Sequence, residues 1–211
     1  MEKKELIIFD MDGTLINSGN VIADTINYVR GHLGLIPIEK NIMLAQLNNP
    51  DINSAEYFYG TKEFTDEQTV LFTEYYDEHC ISDIELYDGI LDMLDNLSNH
   101  FRLSVATNAS KDFATKMISH LNIDNHFDLI VGATCVKNPK PHPDMILKTL
   151  NDLNIHNSKA ILIGDSHKDK RAADAAFVDN ILVNWGFTDH NIDHTIITNS
   201  YELNDKLLKL K

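Results

Sequence analysis

The chain has 211 residues, of which 43% are hydrophobic and 24% are charged, and its formal net charge is −14. This composition is typical of a globular protein with a hydrophobic core, and it argues against a chain that is disordered or membrane-embedded throughout. The negative charge argues against non-specific nucleic-acid binding, which depends on lysine and arginine contacts with phosphates. Because Cys80 and Cys135 lie far apart without metal-ligand spacing, and because no segment has the apolar length of a secretion signal or a membrane span, we expect a cytoplasmic protein without a nucleic-acid or membrane partner. The sequence carries no signal of oligomeric state.

The first predicted element is a buried strand at residues 6–9 that ends in two carboxylates. Asp10 and Asp12 follow this apolar run, and Gly13 and Thr14 form a turn with them. Because aspartate is unfavourable within strands and costly to bury unpaired, this ending requires a cation, a proton or exposure to solvent. A divalent metal ion would meet that requirement. An ordinary strand-to-helix turn would use the same residue types for turn formation and capping, and the segment alone leaves both interpretations open.

The next segment, residues 16–88, has a mostly helical pattern. The apolar residues that recur near helical spacing at its start are Val21, Ile22, Ile26, Val29 and Leu33. Shorter apolar stripes with the same spacing continue to about residue 82, separated by segments rich in Asn, Gly and Pro. The sequence therefore predicts several helices and no strand in this region.

From residue 89 onward, short apolar strands alternate with amphipathic helices. The predicted strands are residues 102–107, 127–131, 160–163 and 180–183, and the predicted helices are residues 90–97, 111–121, 144–153 and 170–176. This alternation is typical of βαβ units and predicts an α/β fold with a doubly wound parallel sheet covered by helices on both faces. The first strand belongs to the same sheet, although the helical segment separates it from the others. Open sheets of this kind bind ligands at the carboxyl ends of their strands.

Polar residues stand at the ends of these predicted strands. In addition to the first two aspartates they are Thr107 and Asn108 after the second core strand, Lys140 in a loop with three prolines, and Asp165 and Asp169 after the strand at residues 160–163. Taken singly, each has an ordinary explanation, such as helix capping or a stiff loop. Acids, a hydroxyl and a proline-braced lysine at one edge of a sheet, in this order, are a much more specific combination.

In order, these segments resemble the motifs of the haloacid dehalogenase superfamily: Asp-x-Asp-Gly-Thr, a Thr or Ser that ends the second core strand, a lysine among prolines, and Gly-Asp-x-x-x-Asp. The sequence from residue 165 to 176 and at 184–187 resembles the phosphoglycolate phosphatase-like branch. The resemblance implies a Rossmann-like α/β core domain formed by residues 1–15 and 89–211, with a helical cap domain, residues 16–88, inserted after the first strand. It also implies a Mg²⁺-dependent phosphatase that hydrolyses a small phosphorylated metabolite through an aspartyl-phosphate intermediate.

The resemblance assigns a role to each motif aspartate, and each role has a physical reason. Asp10 would be the nucleophile and, with Asp165 and the Asp12 backbone carbonyl, would hold Mg²⁺, a hard cation that prefers oxygen ligands and offsets phosphoryl charge. The Asp12 side chain would act as general acid and then as general base, which requires a raised pKa. Its presence favours phosphoryl transfer, because the dehalogenase members lack this second aspartate.

The remaining motif residues would bind the phosphoryl group or support the residues that do. Thr107 would donate its hydroxyl, and the Asn108 backbone amide lies beside it. Lys140 would supply positive charge to the phosphoryl group and to Asp10. Asp169 would either lie near the metal or orient Lys140.

The chain departs from the family pattern at several places. Asn17-Ser18 stands where relatives often have Asp-Ser, Asp88-Gly89 where they often have Pro-Gly, Ala109 where many have Lys, and Phe177 where they have Gly. None of these changes removes a catalytic group. Ala109 and the divergent cap nevertheless weaken a specific assignment to phosphoglycolate.

Two other functions stay open at this point. A phosphomutase of the β-phosphoglucomutase type shares the core but carries an arginine-rich cap signature, whereas Arg30 is the only arginine in the helical segment. A catalytically silent binding or regulatory protein would keep the same motifs. In the predicted cap, Tyr57, Phe58, Tyr59 and Lys62 either face the substrate or pack a helix end, and the histidines show no ligand spacing.

Overall fold

A parallel sheet lies at the centre of the computed structural model, which describes residues 3–187 and 197–211. The strands are β1 (Leu6–Phe9), β2 (Ile16–Asn17), β3 (Glu85–Leu86), β4 (Arg102–Ala106), β5 (Leu129–Val131), β6 (Ala160–Gly164) and β7 (Asp179–Leu182). Within the described residues, five of them form one sheet in the order β5-β4-β1-β6-β7, and every pair in it is parallel. The predicted α/β fold with a parallel sheet is confirmed.

Helices alternate with these strands and also fill the segment between β2 and β3. They are α1 (Gly19–His32), α2 (Lys40–Leu47), α3 (Ser54–Tyr59), α4 (Asp66–His79), α5 (Ile90–Leu97), α6 (Lys111–His120), α7 (Asp144–Leu153), α8 (His167–Ala175) and α9 (Ser200–Leu208). Short 3-10 turns occur at Asp124–His126, Ala133–Cys135 and Asn157–Lys159. None of the described helices is long and apolar enough to cross a membrane.

Side-chain alternation along β1 divides its residues between two hydrophobic layers. Ile7 and Phe9 belong to the layer that contains residues of α5, α6 and α9, whereas Leu6 and Ile8 belong to the layer that contains residues of α7 and α8. All four side chains are fully buried. This is the pattern expected for the central strand of a sheet that helices cover on both faces.

The register of the three central strands brings their polar ends to one edge of the sheet. Phe9 pairs with Val105 of β4 and with Ile163 of β6. Because the strands are parallel, the residues that follow them leave the sheet at the same edge. Asp10 and Asp165 are therefore neighbours in space, although they are 155 positions apart in the sequence.

The helical segment begins and ends with a short ribbon that the sequence did not predict. β2 and β3 pair antiparallel, with Ile16 opposite Leu86. Two-residue strands are too short to produce the alternating pattern by which strands are recognised. The ribbon joins the two ends of the segment that contains α1 to α4. The division into a core, residues 1–15 and 89–211, and a cap, residues 16–88, stays a prediction.

The sequence analysis also missed α9, which packs against α5. Its buried apolar residues, Leu203 and Leu207, lie one helical turn apart, and the Asn199 side chain caps its first turn by accepting the Glu202 N–H. Two apolar positions are too few for the recurring pattern that identified the other helices. The Asn199 cap with an acidic first turn was the available signal.

Candidate active site

Three carboxylates meet at the carboxyl edge of β1 and β6. Asp10 follows β1, Asp165 follows β6, and Asp169 lies on the first turn of α8. One carboxylate oxygen of each lies within 4.8 Å of the other two. All three residues are buried, Asp165 completely. The sequence analysis expected Asp10 and Asp165 to be close together, and the structure adds Asp169 to the same group.

Lys140 joins two of these carboxylates and is only 5% exposed. Its Nζ donates one hydrogen bond of 2.6 Å to Asp10 Oδ1 and another of 2.6 Å to Asp169 Oδ1. Burial lowers the pKa of Lys140, but the charges of Asp10 and Asp169 outweigh this and raise it above its usual value, so the ammonium stays charged. The Asn108 side-chain amide donates to the Lys140 carbonyl at 2.8 Å and ties the proline-rich loop to the end of β4. The peptide bond between Lys140 and Pro141 is cis.

Burial also governs the protonation of the carboxylates. It raises the pKa of Asp10 to about 7, with the Asp169 charge adding to the shift and Lys140 opposing it. It raises the pKa of Asp165 well above its usual range, and the charges of Asp10 and Asp169 add to that shift. In the described part of the chain, these three carboxylates have one contacting lysine. A divalent cation would relieve the resulting excess of negative charge.

The two side-chain oxygens of Asp165 have different surroundings. Oδ2 accepts hydrogen bonds from the Phe187 N–H at 2.9 Å and from the Asn48 side-chain amide at 3.0 Å. Oδ1 is buried, and no group among residues 3–187 and 197–211 donates to it. A buried acceptor without a donor costs free energy, which coordination to a cation would recover. The residues present therefore fit a divalent metal ion.

The turn after β1 depends on Gly13, and it brings Asp12 to the same site. Gly13 has φ +82°, and a Cβ at this position would lie 2.4 Å from Asp165 Oδ2, so a larger residue would collide with that carboxylate. The Ser18 hydroxyl donates a hydrogen bond to Asp12 Oδ1. Burial raises the pKa of Asp12, while hydrogen bonds from Ser18 and Thr107 oppose the shift. A raised pKa favours the protonated form, which a general acid requires.

Asp169 connects the lysine to the start of α8. Its Oδ1 accepts from Lys140, and its Oδ2 accepts from the Ser166 N–H at 3.2 Å and the Ser166 hydroxyl at 2.6 Å. The Ser166 N–H contact, together with the Asp169 N–H that donates to the Ser166 hydroxyl at 3.4 Å, forms the capping box of α8. The carboxylate is thus held rigidly while it holds Lys140. The two roles that the sequence left open for Asp169, next to a metal or next to Lys140, are compatible in this geometry.

Five of the motif residues line one cavity of 190 Å³, which we call the reaction cavity. Its polar lining consists of Asp10, Asp12, Asn48, Thr107, Asn108, Lys140, Ser166 and Lys168, and the rest is apolar, including Ile22, Phe72, Tyr76, Phe113 and Phe187. Thr107 is buried at the end of β4, where its N–H donates to the Val131 carbonyl at 3.0 Å. Two carboxyl groups, a hydroxyl and a fixed cation therefore share one small cavity.

Sequence reasoning missed the contacts between α8 and the segment that joins α2 to α3. These contacts are Lys168 Nζ with the Leu47 carbonyl at 2.6 Å, Asn48 Nδ2 with Asp165 Oδ2 at 3.0 Å, and Arg171 with both oxygens of Asp51 at 2.8 and 3.0 Å. They hold the α2–α3 segment against the carboxylate group. Lys168 lies between the two aspartates of the last motif, so its position was a usable signal. Asn48 belongs to no motif and had none.

The cap residues considered from the sequence lie outside the reaction cavity. Phe58 and Tyr59 are buried and line a second cavity beside it, whereas Tyr57 and Lys62 are exposed. Within the described part of the chain, the group of potential metal ligands contains no histidine. Packing and solvation therefore explain Tyr57 and Lys62, whereas Phe58 and Tyr59 form part of the wall of the second cavity.

A parallel α/β fold whose strand ends carry buried carboxylates and a lysine defines a class of hydrolases, and sequence comparison identifies the family. A model of the haloacid dehalogenase-like hydrolases matches residues 7–183, and the chain belongs to this family. A phosphoglycolate phosphatase of Aquifex aeolicus (strain VF5) is 31% identical over 187 residues, which cover 88% of this chain and 87% of that protein. The predicted family, and the resemblance to phosphoglycolate phosphatases, are confirmed.

Other similar proteins extend the comparison. A solved haloacid dehalogenase-like hydrolase from Streptococcus pneumoniae has a TM-score of 0.81 at 26% identity, covering 96% of this chain and 98% of that one. The tyrosine-protein kinase PtkA of Mycobacterium tuberculosis (strain ATCC 25618 / H37Rv) is 27% identical over 187 residues, which cover 88% of this chain but 64% of the relative. Proteins similar in sequence to this chain therefore carry names that describe different phosphoryl chemistries.

Proposed function

We propose that the protein is a Mg²⁺-dependent phosphatase that hydrolyses a small phosphorylated metabolite through an aspartyl-phosphate at Asp10. The observation that supports this most is the meeting of the Asp10, Asp165 and Asp169 carboxylates, two of which Lys140 joins, with Asp12 lining the same cavity as Asp10. Similarity to phosphoglycolate phosphatases supports hydrolysis of a phosphate monoester.

Asp10, Asp165 and the Asp12 backbone carbonyl are the proposed metal ligands, with Asp169 beside them. Bound Mg²⁺ would offset the negative charge of the carboxylates and of the phosphoryl oxygens, which otherwise repel an anionic nucleophile. The unpartnered Oδ1 of Asp165 supports a cation at this position. A donor set made only of oxygen favours Mg²⁺ over metals that prefer nitrogen or sulfur ligands.

In the first step, an Asp10 carboxylate oxygen forms a bond to phosphorus while the bond between phosphorus and the alcohol oxygen breaks. Asp12 gives its proton to that oxygen, so the alcohol leaves uncharged. Lys140, the Thr107 hydroxyl and the Asn108 backbone amide would hold the phosphoryl oxygens. Lys140 needs no rearrangement for this, because its hydrogen bond already places it beside the nucleophile.

In the second step, ionised Asp12 takes a proton from water while the water oxygen attacks phosphorus. The bond between phosphorus and Asp10 breaks, inorganic phosphate forms, and both aspartates return to their starting states. The apolar lining from Ile22, Phe72 and Phe113 would limit entry of further water. The same carboxyl group therefore serves both half-reactions in opposite protonation states.

The phosphomutase alternative has less support. Arg30 donates its hydrogen bonds to the backbone carbonyls of Phe58 and Ile36, so its guanidinium is occupied by these contacts. No arginine lines either cavity among the described residues. A phosphomutase would have to return the phosphoryl group to the sugar without an arginine among these lining residues.

The test is phosphate release from a panel of phosphorylated metabolites and one aryl phosphate, with Mg²⁺ and with a chelator. We expect turnover by the wild type with Mg²⁺, loss with the chelator, and loss in Asp10→Asn. Asp205→Asn is the matched control, because Asp205 is exposed on α9 and far from the motifs in sequence. Full activity of Asp10→Asn, or no release from any ester, would overturn the proposal. Product analysis on a hexose 1-phosphate separates hydrolysis from isomerisation.

A further inference from the structure

A second and larger cavity, of 480 Å³, lies beside the reaction cavity. Leu47, Phe72 and Asn108 line both cavities, so the two are adjacent. The second cavity falls in the range of about 300–1,000 Å³ that is usual for sites of small organic ligands. A phosphate ester held at Asp10 and Lys140 could extend past these shared residues into it.

Aromatic rings dominate the walls of this second cavity, which we call the aromatic cavity. Phe58 and Tyr59 come from α3, Phe64 from the loop before α4, and Phe72 from α4. Phe58 and Tyr59 are buried, and the Tyr59 and Phe64 rings contact each other edge to face at 5.9 Å between centroids. Such a surface favours a planar apolar group, because aromatic rings gain stacking and edge-to-face contacts beyond the burial of apolar area.

The described lining of the aromatic cavity offers no countercharge for a charged group. None of the described residues that line it carries a charge, and its polar groups are the hydroxyls and amides of residues such as Ser54, Gln68 and Thr73. Burial raises the pKa of Tyr59 to about 12, so its phenol is neutral as well. The nearby Arg30 guanidinium is bonded to the Phe58 carbonyl. A carboxylate placed here would lose hydration with no countercharge to compensate for it.

The cations of the site lie on the reaction cavity instead. Lys140 is shared by Asp10 and Asp169, and Lys168 donates to the Leu47 carbonyl. Neither lysine lines the aromatic cavity. The positive charge is therefore concentrated where the phosphoryl group would bind, and the leaving group would extend into uncharged surroundings.

We propose that the aromatic cavity binds the alcohol part of the substrate, and that the substrate is a phosphate monoester whose alcohol carries an uncharged aromatic ring. This inference rests on the proposed function and gives it a substrate class. It separates this protein from its phosphoglycolate phosphatase relatives, because the alcohol released from phosphoglycolate is a small carboxylate with no ring to fill the cavity.

The test compares 2-phenylethyl phosphate with ethyl phosphate, two alkyl esters that differ by the ring and hardly in the reactivity of the leaving group. With Mg²⁺, we expect the wild type to show a kcat/KM at least about 10-fold higher for the phenylethyl ester, since even one methylene in an apolar pocket contributes about 10-fold or more. Equal kcat/KM values for the two esters would overturn the inference and leave the proposed phosphatase intact.

Variants that fill the cavity make the test specific. Thr73→Phe, on the exposed side of α4, and Ser54→Phe, on α3, are expected to lower the phenylethyl-to-ethyl ratio of kcat/KM at least about 5-fold, part of the contribution that the ring is expected to make. Glu74→Phe adds the same side chain to α4 at an exposed position that lines neither cavity, and its ratio should equal that of the wild type. An unchanged ratio in both filling variants, with folding verified by thermal melting, would contradict the assignment.

Binding separates a failure of this inference from a failure of the proposed function. Isothermal titration of Asp10→Asn with each ester should show tighter binding of the phenylethyl ester, whether or not the wild type turns it over. If the phenylethyl ester binds more tightly but neither ester is turned over, the proposed phosphatase activity is wrong, while the assignment of an aromatic ring to the cavity stands. Absence of any binding preference would overturn the substrate class.

Discussion

Lys140 Nζ lies 2.6 Å from Asp10 Oδ1, and both groups are buried. This contact places a permanent cation against the proposed nucleophile before any substrate arrives. Asp169 accepts a second hydrogen bond from the same ammonium, so the lysine cannot turn away from the cavity without breaking two charge-assisted bonds. The site is pre-organised for negative charge on its cavity side.

Removal of this lysine should affect stability and catalysis together. Lys140→Met leaves Asp10 and Asp169 buried without their cation, and breaking a buried ion pair by removing one partner costs about 3–5 kcal/mol. We expect a loss of that order in the free energy of unfolding, measured in urea without metal, and a fall in kcat of about 10²–10³-fold.

Lys148→Met provides the control for this change. Lys148 is paired with Asp152 one helical turn away on an exposed surface, where solvent and salt screen such pairs and they contribute little to stability. It should lose little stability and no activity. Comparable losses in the two variants would show that the Lys140 contact is not special.

The dependence on leaving group tests the role of Asp12. If Asp12 protonates the departing alcohol, Asp12→Asn should lower kcat for an alkyl phosphate by about 10²–10⁴-fold. The loss should be much smaller for 4-nitrophenyl phosphate in a single-turnover experiment that measures aryl release, because a nitrophenolate leaves without a proton. Equal losses for the two esters would contradict the acid role. Asp10→Asn, by contrast, should abolish release from both.

Much of this architecture was predictable because it is carried by local patterns. The segments that become β1, β4 and β6 are short, mostly apolar and each followed by a polar residue, so the sheet and its polar edge could be predicted together. Asp10, Thr107, Lys140 and Asp165 stood out because acids, a hydroxyl and a proline-braced lysine in this order are a specific combination. Family resemblance then supplied the roles.

The unpredicted parts depend on how distant elements pack. The bond from Asn48 to Asp165 and the bond from Lys168 to the Leu47 carbonyl require the helical segment to lie against α8, and no local pattern encodes that arrangement. The same is true of the aromatic cavity, since nothing in the local sequence shows which side chains Phe58 and Tyr59 pack against. The packing between elements, rather than their secondary structure, was the part of the fold that could not be predicted from the sequence.

The stability of the metal-free protein should fall as pH rises through the acidic and neutral range. The folded-state pKa of Asp10 is about 7, against an ordinary value of 3.8. Between these values the folded state binds more protons than the unfolded state, so the free energy of unfolding decreases with increasing pH. Asp165, whose pKa is also raised, acts in the same direction.

Thermal melting with and without Mg²⁺ measures this effect. We expect Mg²⁺ to raise Tm more at about pH 7.5 than at about pH 5, because metal and protons compete for the same carboxylates. The difference in Tm between wild type and Asp10→Asn isolates the Asp10 contribution from that of other acids. Without metal, the Tm of the wild type should fall relative to the Tm of the variant as pH rises. A pH-independent difference would contradict the raised pKa.

The end of α8 offers a stabilising substitution. Phe177 is 82% exposed and has φ +55°, a left-handed conformation that costs a non-glycine residue about 1–2 kcal/mol. The Phe177 N–H donates to the Asp174 carbonyl and the Val178 N–H to the Ala173 carbonyl, which is the helix-ending arrangement that favours glycine at this position.

Phe177→Gly should therefore stabilise the protein by about 1 kcal/mol, since it relieves the backbone strain and loses little buried surface. For a domain of this size that corresponds to an increase in Tm of about 2–4 °C. Phe177→Ala removes the ring but keeps the Cβ, so it should leave Tm nearly unchanged. The two variants thus separate backbone strain from the effect of an exposed ring, and equal increases in Tm for both would assign the gain to removal of the ring instead.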